Sequence, residues 1–355
     1  MSPRVYALAL ISAAAALFAG VVGANLLIDP QAVFGTGFFG RPANANDRYE
    51  RLREYQADPK RYDAILFGSS RAFVLPHLEL SGHLDGARLA NFAVVGGMLN
   101  DYLPTLEYVL RDKSSRGERL RVAVVQLDVD AFGGPPFNRQ GLQYALPPAI
   151  SGESATRFWW KLLTSIQLRA WRSTIKGAAE RPNFASAPNA LPLAPPTLSG
   201  LGELLGVHAA NAQPLRPAAG GTLAGSPRER LTERPGYADQ IRLLERFVAL
   251  CRGHDIRLIV MAPPIGRSSA DRLDRTDLLN AIQHLSSIVP LWDFTLATPI
   301  LDSPEYWTDS HHFRADVGTM MVRRIFADDV PPEWKDFGAL KGGVRHSSDR
   351  SGPFL

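Results

Sequence analysis

The chain has 355 residues, 45% hydrophobic and 21% charged, with a formal net charge of +4 and a single cysteine. That length and composition fit one large domain or two small ones with a substantial core. The basic excess is mild and no long Lys/Arg run stands outside helical patterns, which argues against nucleic acid as a partner. Cys251 has no second cysteine to pair with and reads as a buried thiol on a helix.

The first predicted element is "VYALALISAAAALFAGVVGANLL", residues 5–27, which carries no charge. At about 1.5 Å per residue it is long enough to cross a bilayer. Arg4 and the amino terminus before it favour a cytoplasmic N-terminus. The small residues Val22-Gly23-Ala24 admit a cleaved signal peptide as the alternative, but the apolar run continues to Ile28, so residues 1–28 are read as an anchor. Either reading puts the rest of the chain outside the cytoplasm. The expectation is a single-pass protein of the inner (cytoplasmic) membrane with a periplasmic globular domain.

Residues 29–60 form a polar approach whose charged part has helical character. Short apolar runs follow at 63–67, 88–94, 122–128, 256–262 and 288–294, each a strand candidate. Between them, residues 100–112, 238–253 and 275–287 carry apolar residues at helical spacing. Strands alternating with helices predict an α/β fold, a three-layer parallel sheet flanked by helices in the flavodoxin-like manner, over residues 61–338. Ligands of such sheets sit beyond the carboxyl ends of the strands.

The alternation breaks at about 134–237, read as an insertion. Residues 154–180 predict one long helix with Arg157, Lys161, Arg169, Arg172 and Lys176 beside Trp159, Trp160 and Trp171. It is either a packed helix with a solvated basic face or a surface that touches membrane or an anionic glycan. Residues 182–236, rich in Pro, Ala and Gly, read as a partly disordered insertion, and the tail from 339 as flexible.

"ILFGSSRAF", residues 65–73, ends the first strand on Gly68-Ser69-Ser70-Arg71. A serine hydroxyl attacks only if a base takes its proton and a third group fixes the base. Of eight histidines, His311 and His312 stand apart in "EYWTDSHHFRADVG", where Asp309 lies three residues before His312. A turn there brings carboxylate and imidazole together, just before a helix predicted over 314–327. Asp309, His311 and His312 are also metal-ligand types, but a zinc site needs further ligands, and neither an HExxH nor a Cys cluster supplies them. Arg71 either binds a carboxylate, orients its loop or forms a salt bridge within the fold.

The early Gly-x-Ser, a glycine after the next strand and the late Asp-x-x-His together resemble the SGNH/GDSL hydrolase superfamily over residues 60–130 and 238–327. With the N-terminal anchor and "GSSR", the chain most resembles the membrane-anchored branch tied to acylation of cell-wall polymers and exopolysaccharides, including the DltD-like and alginate-acetylation proteins. The resemblance implies Ser70 as nucleophile, His312 as base and Asp309 as its acid partner. It implies an oxyanion hole from the backbone N–H of Ser70 and of Gly96 or Gly97. The family's third-block Asn has no counterpart, since the chain reads "QLDVDAFGG" after the third strand, with Asp128 and Asp130. Asn100 is left as an oxyanion candidate or, alternatively, a helix N-cap.

The resulting expectation is a serine-dependent O-acyltransferase or esterase acting outside the cytoplasm on envelope or exopolysaccharide acyl groups. It calls for no cofactor and no metal. Its expected partners are a polysaccharide or glycan substrate, the membrane, and a polytopic membrane acyltransferase that delivers acyl groups. The alternatives are a non-catalytic scaffold or glycan-binding component of an envelope polysaccharide complex, and a metal-dependent hydrolase using the His pair.

Overall fold

A computed structural model describes residues 2–42, 45–133, 141–180, 228–295, 303–327 and 330–342. The chain divides into two compact units, residues 1–54 with 139–195, and residues 55–138 with 196–355. Most of the stretch read as the Pro/Ala/Gly-rich insertion lies outside the described residues, as does the tail beyond 342.

In the first unit, α1 (Pro3–Ile28) is a single apolar helix, long and apolar enough to span a membrane. Asp29 ends it in the left-handed region, and its carboxylate then accepts N–H bonds from Val33, Phe34 and Gly35 at 2.8–3.0 Å. Asn46 opens α2 (Asp47–Ala57) by accepting from the Tyr49 N–H, while its amide N–H₂ donates to the carbonyls of Leu142 and Ala145.

The helix expected over 154–180 is two helices, Ala155–Thr164 and Leu168–Ala179. The break has a local cause. Buried Asn25 on α1 donates to the carbonyls of Leu163 and Ser165 at 2.8 and 3.0 Å, and Trp171 Nε1 donates back to Asn25 Oδ1. A continuous helix would need the Leu163 carbonyl for its own Gln167 N–H, so the α1 side chain substitutes for a backbone rung.

The second unit is an α/β sheet sandwich. Its main elements are β1 (Ala64–Phe67), α3 (His77–Gly82), β2 (Leu89–Asn91), α4 (Leu99–Ser115), β3 (Val122–Gln126), α7 (Tyr237–Gly253), β4 (Arg257–Ala262), α8 (Arg275–Ile288), β5 (Leu291–Asp293), α9 (Ala315–Phe326) and β6 (Ala339–Lys341); the helices Ala155–Thr164 and Leu168–Ala179 of the first unit are α5 and α6. The strands lie in the order β2-β1-β3-β4-β5-β6, and all pairings are parallel except that of β6 with β5. The first five strands thus follow the flavodoxin-like order 2-1-3-4-5.

Side chains alternate across the sheet, as a strand's period of two dictates. Ile65, Phe67, Val125 and Val260 pack under α4, α7 and α8, whereas Leu66, Val124, Ile259 and Met261 pack under α3 and α9. Burial on both faces explains why these strands read as unbroken apolar runs. Cys251 is buried on α7, where burial pushes its thiol up to about 12.

The start of the expected flexible tail is instead strand β6. It pairs antiparallel with β5, and Gly338 and Gly342, both at positive φ, turn the chain at its two ends. At Gly338 a side chain would collide with the Phe294 ring at 2.2 Å, so the turn admits only glycine.

Candidate active site

After β1 the chain exits towards α3, and after β3 it passes to α7 on the opposite face of the sheet. Loops diverging from neighbouring parallel strands leave a crevice at their carboxyl ends. The Gly68–Arg71 corner lies at this place.

Gly68 is required there, because a Cβ would lie 2.4 Å from that of Ala72. Its absence lets the strand pass at once into a 3-10 turn over Ser70–Val74. The two serines divide the work. Ser69 is buried, stays extended and caps the turn by accepting from the Arg71 N–H at 3.1 Å. Ser70 is the first residue of the turn, and its hydroxyl lies 2.8 Å from His312 Nε2.

His312 sits on a tight loop before α9. Trp307 and Phe313 bridge across its base, both buried, and the Thr308 N–H donates to the His312 carbonyl. Asp309 closes the loop from inside. Its Oδ1 accepts the N–H groups of His311 and His312 at 2.7 and 2.8 Å, and its Oδ2 lies 2.7 Å from His312 Nδ1. Burial pushes the Asp309 carboxyl up, but the bonds from the His312 ring and the two backbone N–H groups outweigh it and hold the carboxyl well below the usual carboxylate range. With Nδ1 facing the ionised Asp309 carboxylate, the ring turns Nε2 towards the Ser70 hydroxyl, the orientation in which Nδ1 can donate and Nε2 accept. His312 is 28% exposed and Asp309 50%, so the line of groups opens to solvent.

The neighbouring His311 turns elsewhere. Its Nδ1 lies 2.6 Å from the Ser310 hydroxyl, and burial followed by the Arg71 charge lowers its pKa. Among the described residues no group of three or more His, Cys, Asp or Glu is arranged to hold a metal ion. His208 and His346 lie outside the described residues.

Three features that the sequence does not spell out hold these loops in register. Buried Arg71 makes a bidentate pair with Asp130 after β3, both bonds 2.7 Å, and its Nε donates to the His311 carbonyl at 3.1 Å. One guanidinium therefore ties the serine corner, the β3 loop and the histidine loop. Burial pushes the Asp130 carboxyl up and Arg71 more than offsets it, whereas the neighbouring Asp128, 3.7 Å from Arg71, is left raised by burial and by the like charge of Asp130. Gly318 on α9 lies against the Val74 carbonyl and Gly266 against the Ser310 carbonyl, where an added Cβ would approach to 2.6 and 2.1 Å respectively. The hints in the sequence are Arg71 in the serine corner, read as a salt-bridge candidate, the Asp-x-Asp after β3, and isolated glycines after β4 and inside α9.

The remaining expected site residues lie in the β2–α4 loop. The Gly97 N–H donates to the Val94 carbonyl at 2.9 Å, closing a turn in which Gly96 takes positive φ. A Cβ on Gly97 would lie 2.4 Å from the Gly68 carbonyl, so this loop packs directly on the serine corner. Asn100 is not an N-cap. Met98 holds that place, with Asp101 accepting from its N–H, and Asn100 is the second helical residue. Its amide oxygen accepts from Gln240 Nε2 on α7. As the first residue of its 3-10 turn, Ser70 has a backbone N–H with no carbonyl inside that turn to accept it.

Compared with protein-family models and with curated proteins, the chain matches none.

Proposed function

We propose that the chain is a serine-dependent O-acyltransferase or esterase of the SGNH type, anchored by α1 and acting outside the cytoplasm on acyl groups of an envelope or exopolysaccharide polymer. The unbroken line from Ser70 Oγ through the His312 ring to Asp309, at 2.8 and 2.7 Å, carries the proposal. Both contacts fall within the reach that proton transfer needs.

In this reading Ser70 Oγ attacks an ester carbonyl as His312 Nε2 takes its proton. Asp309 holds the ring and stabilises the imidazolium that forms. The carbonyl oxygen becomes an oxyanion beside the Ser70 N–H at the start of the 3-10 turn. Collapse breaks the bond to the leaving alcohol, which receives the proton from Nε2, and leaves the acyl group on Ser70. Water or a sugar hydroxyl then attacks by the same steps in reverse, giving hydrolysis or transfer. The solvent opening at His312 and Asp309 suits an acceptor that is part of a polymer. A polytopic membrane acyltransferase as acyl donor fits the same reading. It rests on the resemblance to polymer-acylating proteins.

A second reading, a non-catalytic scaffold or glycan-binding component of a polysaccharide complex, draws on the β2–α4 loop, where Gly97 and Asn100 are engaged within the fold. Hydrolysis of p-nitrophenyl acetate by the full chain in detergent separates the two. The proposal expects turnover that Ser70→Ala abolishes. Turnover unchanged by Ser70→Ala would sink the serine assignment, and no turnover at all in the parent chain favours the second reading.

A further inference from the structure

The first unit carries an apolar surface beside the helix that is long enough to span a membrane. Trp160 is 59% exposed on α5, Ile166 is 65% exposed at the α5–α6 turn, and Leu168 and Ile175 are 69% and 44% exposed on α6. Such large side chains clustered on one hairpin mark a surface that is covered in use.

What covers it follows from α1. Asn25 clamps the hairpin turn to α1 through Leu163, Ser165 and Trp171, and the Trp160 ring lies 5.8 Å from that of Phe18. Phe18 is ten residues before the end of α1, about 15 Å of helix rise. The 26 residues of α1 rise about 39 Å, against a hydrocarbon core of about 30 Å. With α1 centred in the bilayer, Phe18 lies about 10 Å inside the hydrocarbon, and Trp160 touches it there.

The pattern of α6 matches that position. Successive residues turn by about 100° around a helix. Leu168, Trp171 and Ile175 form one stripe, and Arg169, Arg172 and Lys176 form the next, while Thr174 and Ala178 on the other side are buried. Between Glu153 and Glu180 the segment holds five basic residues against those two acidic ones. An apolar stripe edged by cations is the signature of a helix lying at a lipid surface, and anionic headgroups supply the complementary charge.

We infer that the α5–α6 hairpin is a second membrane element, embedded in the leaflet that holds the carboxyl-terminal half of α1, with Trp160, Ile166, Leu168 and Ile175 among acyl chains and Arg169, Arg172 and Lys176 on anionic headgroups. This rests on the reading of α1 as a membrane anchor and is independent of the proposed chemistry. The hairpin fixes the height and tilt of the first unit at the surface, where a single spanning helix alone would leave it free to swivel.

The test uses the full chain with Cys251→Ala, reconstituted in vesicles of phosphatidylcholine and phosphatidylglycerol and, separately, of phosphatidylcholine alone. A nitroxide is attached through Leu168→Cys, Ile175→Cys, Leu10→Cys on α1, or Leu279→Cys on the exposed face of α8. Collisional relaxation by oxygen reports lipid and by a water-soluble nickel complex reports solvent. The inference expects nickel relaxation to be lost at 168 and 175 as at 10, retained at 279, and partly regained at 168 and 175 without phosphatidylglycerol. Nickel relaxation at 168 and 175 equal to that at 279, with position 10 protected, would overturn the hairpin while leaving the anchor intact, and would favour a protein partner on this face. Nickel relaxation at position 10 itself would remove the anchor reading and the inference with it.

Discussion

Two loops leave neighbouring strands at the carboxyl edge of the sheet, after β1 and after β2, and they are held in opposite ways. The loop after β1 is fixed by groups far off in sequence: Arg71 to Asp130, Arg71 to the His311 carbonyl, and Gly318 against Val74. The loop after β2 is closed largely on itself, through the Gly97 N–H to Val94 and the Met98 N–H to Asp101. The first kind of loop places side chains against those of another segment. The second presents a rigid backbone and spends its donors doing so. The proposed chemistry therefore draws from one loop the serine that meets His312, and from the other chiefly a wall.

The sharpest way to break that contrast is Asp309→Asn. The amide cannot hold His312 in the Nε2-accepting tautomer, and ester turnover is expected to fall by about 10⁴-fold with the fold intact. A fall of less than tenfold would mean that the 2.7 Å contact is structural only.

Next in size is Asp130→Ala. It leaves the buried Arg71 charge with the His311 carbonyl and the weaker Asp128 contact, and stability in urea is expected to drop by about 3–5 kcal/mol, the usual cost of stripping one partner from a buried pair. A drop below about 1 kcal/mol, in the range of exposed pairs, would remove Arg71 as the tie between the loops.

Asn100→Ala probes the other loop. A working oxyanion donor is worth about 10² to 10³ in turnover, so the contrast predicts a loss well short of that range. A loss within it would show that the β2–α4 loop rearranges to donate during the reaction.

Asp128→Asn should have the smallest effect, visible as a slope. Burial raises the Asp128 carboxyl above its unfolded value, which is about 3.9. The folded chain then holds the proton longer than the unfolded one. The stability this contributes is fully present below about pH 4 and is lost as pH rises through the folded value. The parent is thus expected to lose stability relative to Asp128→Asn as pH rises from about 4. Parallel pH curves would contradict that assignment.

Sequence reading reached the strands because each of β1, β3 and β4 is buried on both faces and so appears as an apolar run. It also reached the pairing of Asp309 with His312, which a three-residue spacing and one turn determine locally. It did not reach the break at Ser165–Gln167, because Asn25, which causes it, lies about 140 residues away. Asn100 is the better cap by residue type, but the Gly96 turn and Asp101 put the cap at Met98 and the first helical residue at Leu99. Strand β6 offers two apolar residues, Ala339 and Leu340, too few to show a pattern, and exists through the edge of β5. For Arg71 the sequence reading reached an internal salt bridge but not its partner, since nothing local distinguishes Asp130 from Asp128.

The central claim is that Ser70 is a nucleophile activated by His312, and peptide mapping after treatment with a fluorophosphonate tests it most directly. A single adduct on the peptide holding Ser70, lost in both Ser70→Ala and His312→Ala, is the predicted result. An unmodified chain, or an adduct that persists in Ser70→Ala, would contradict it.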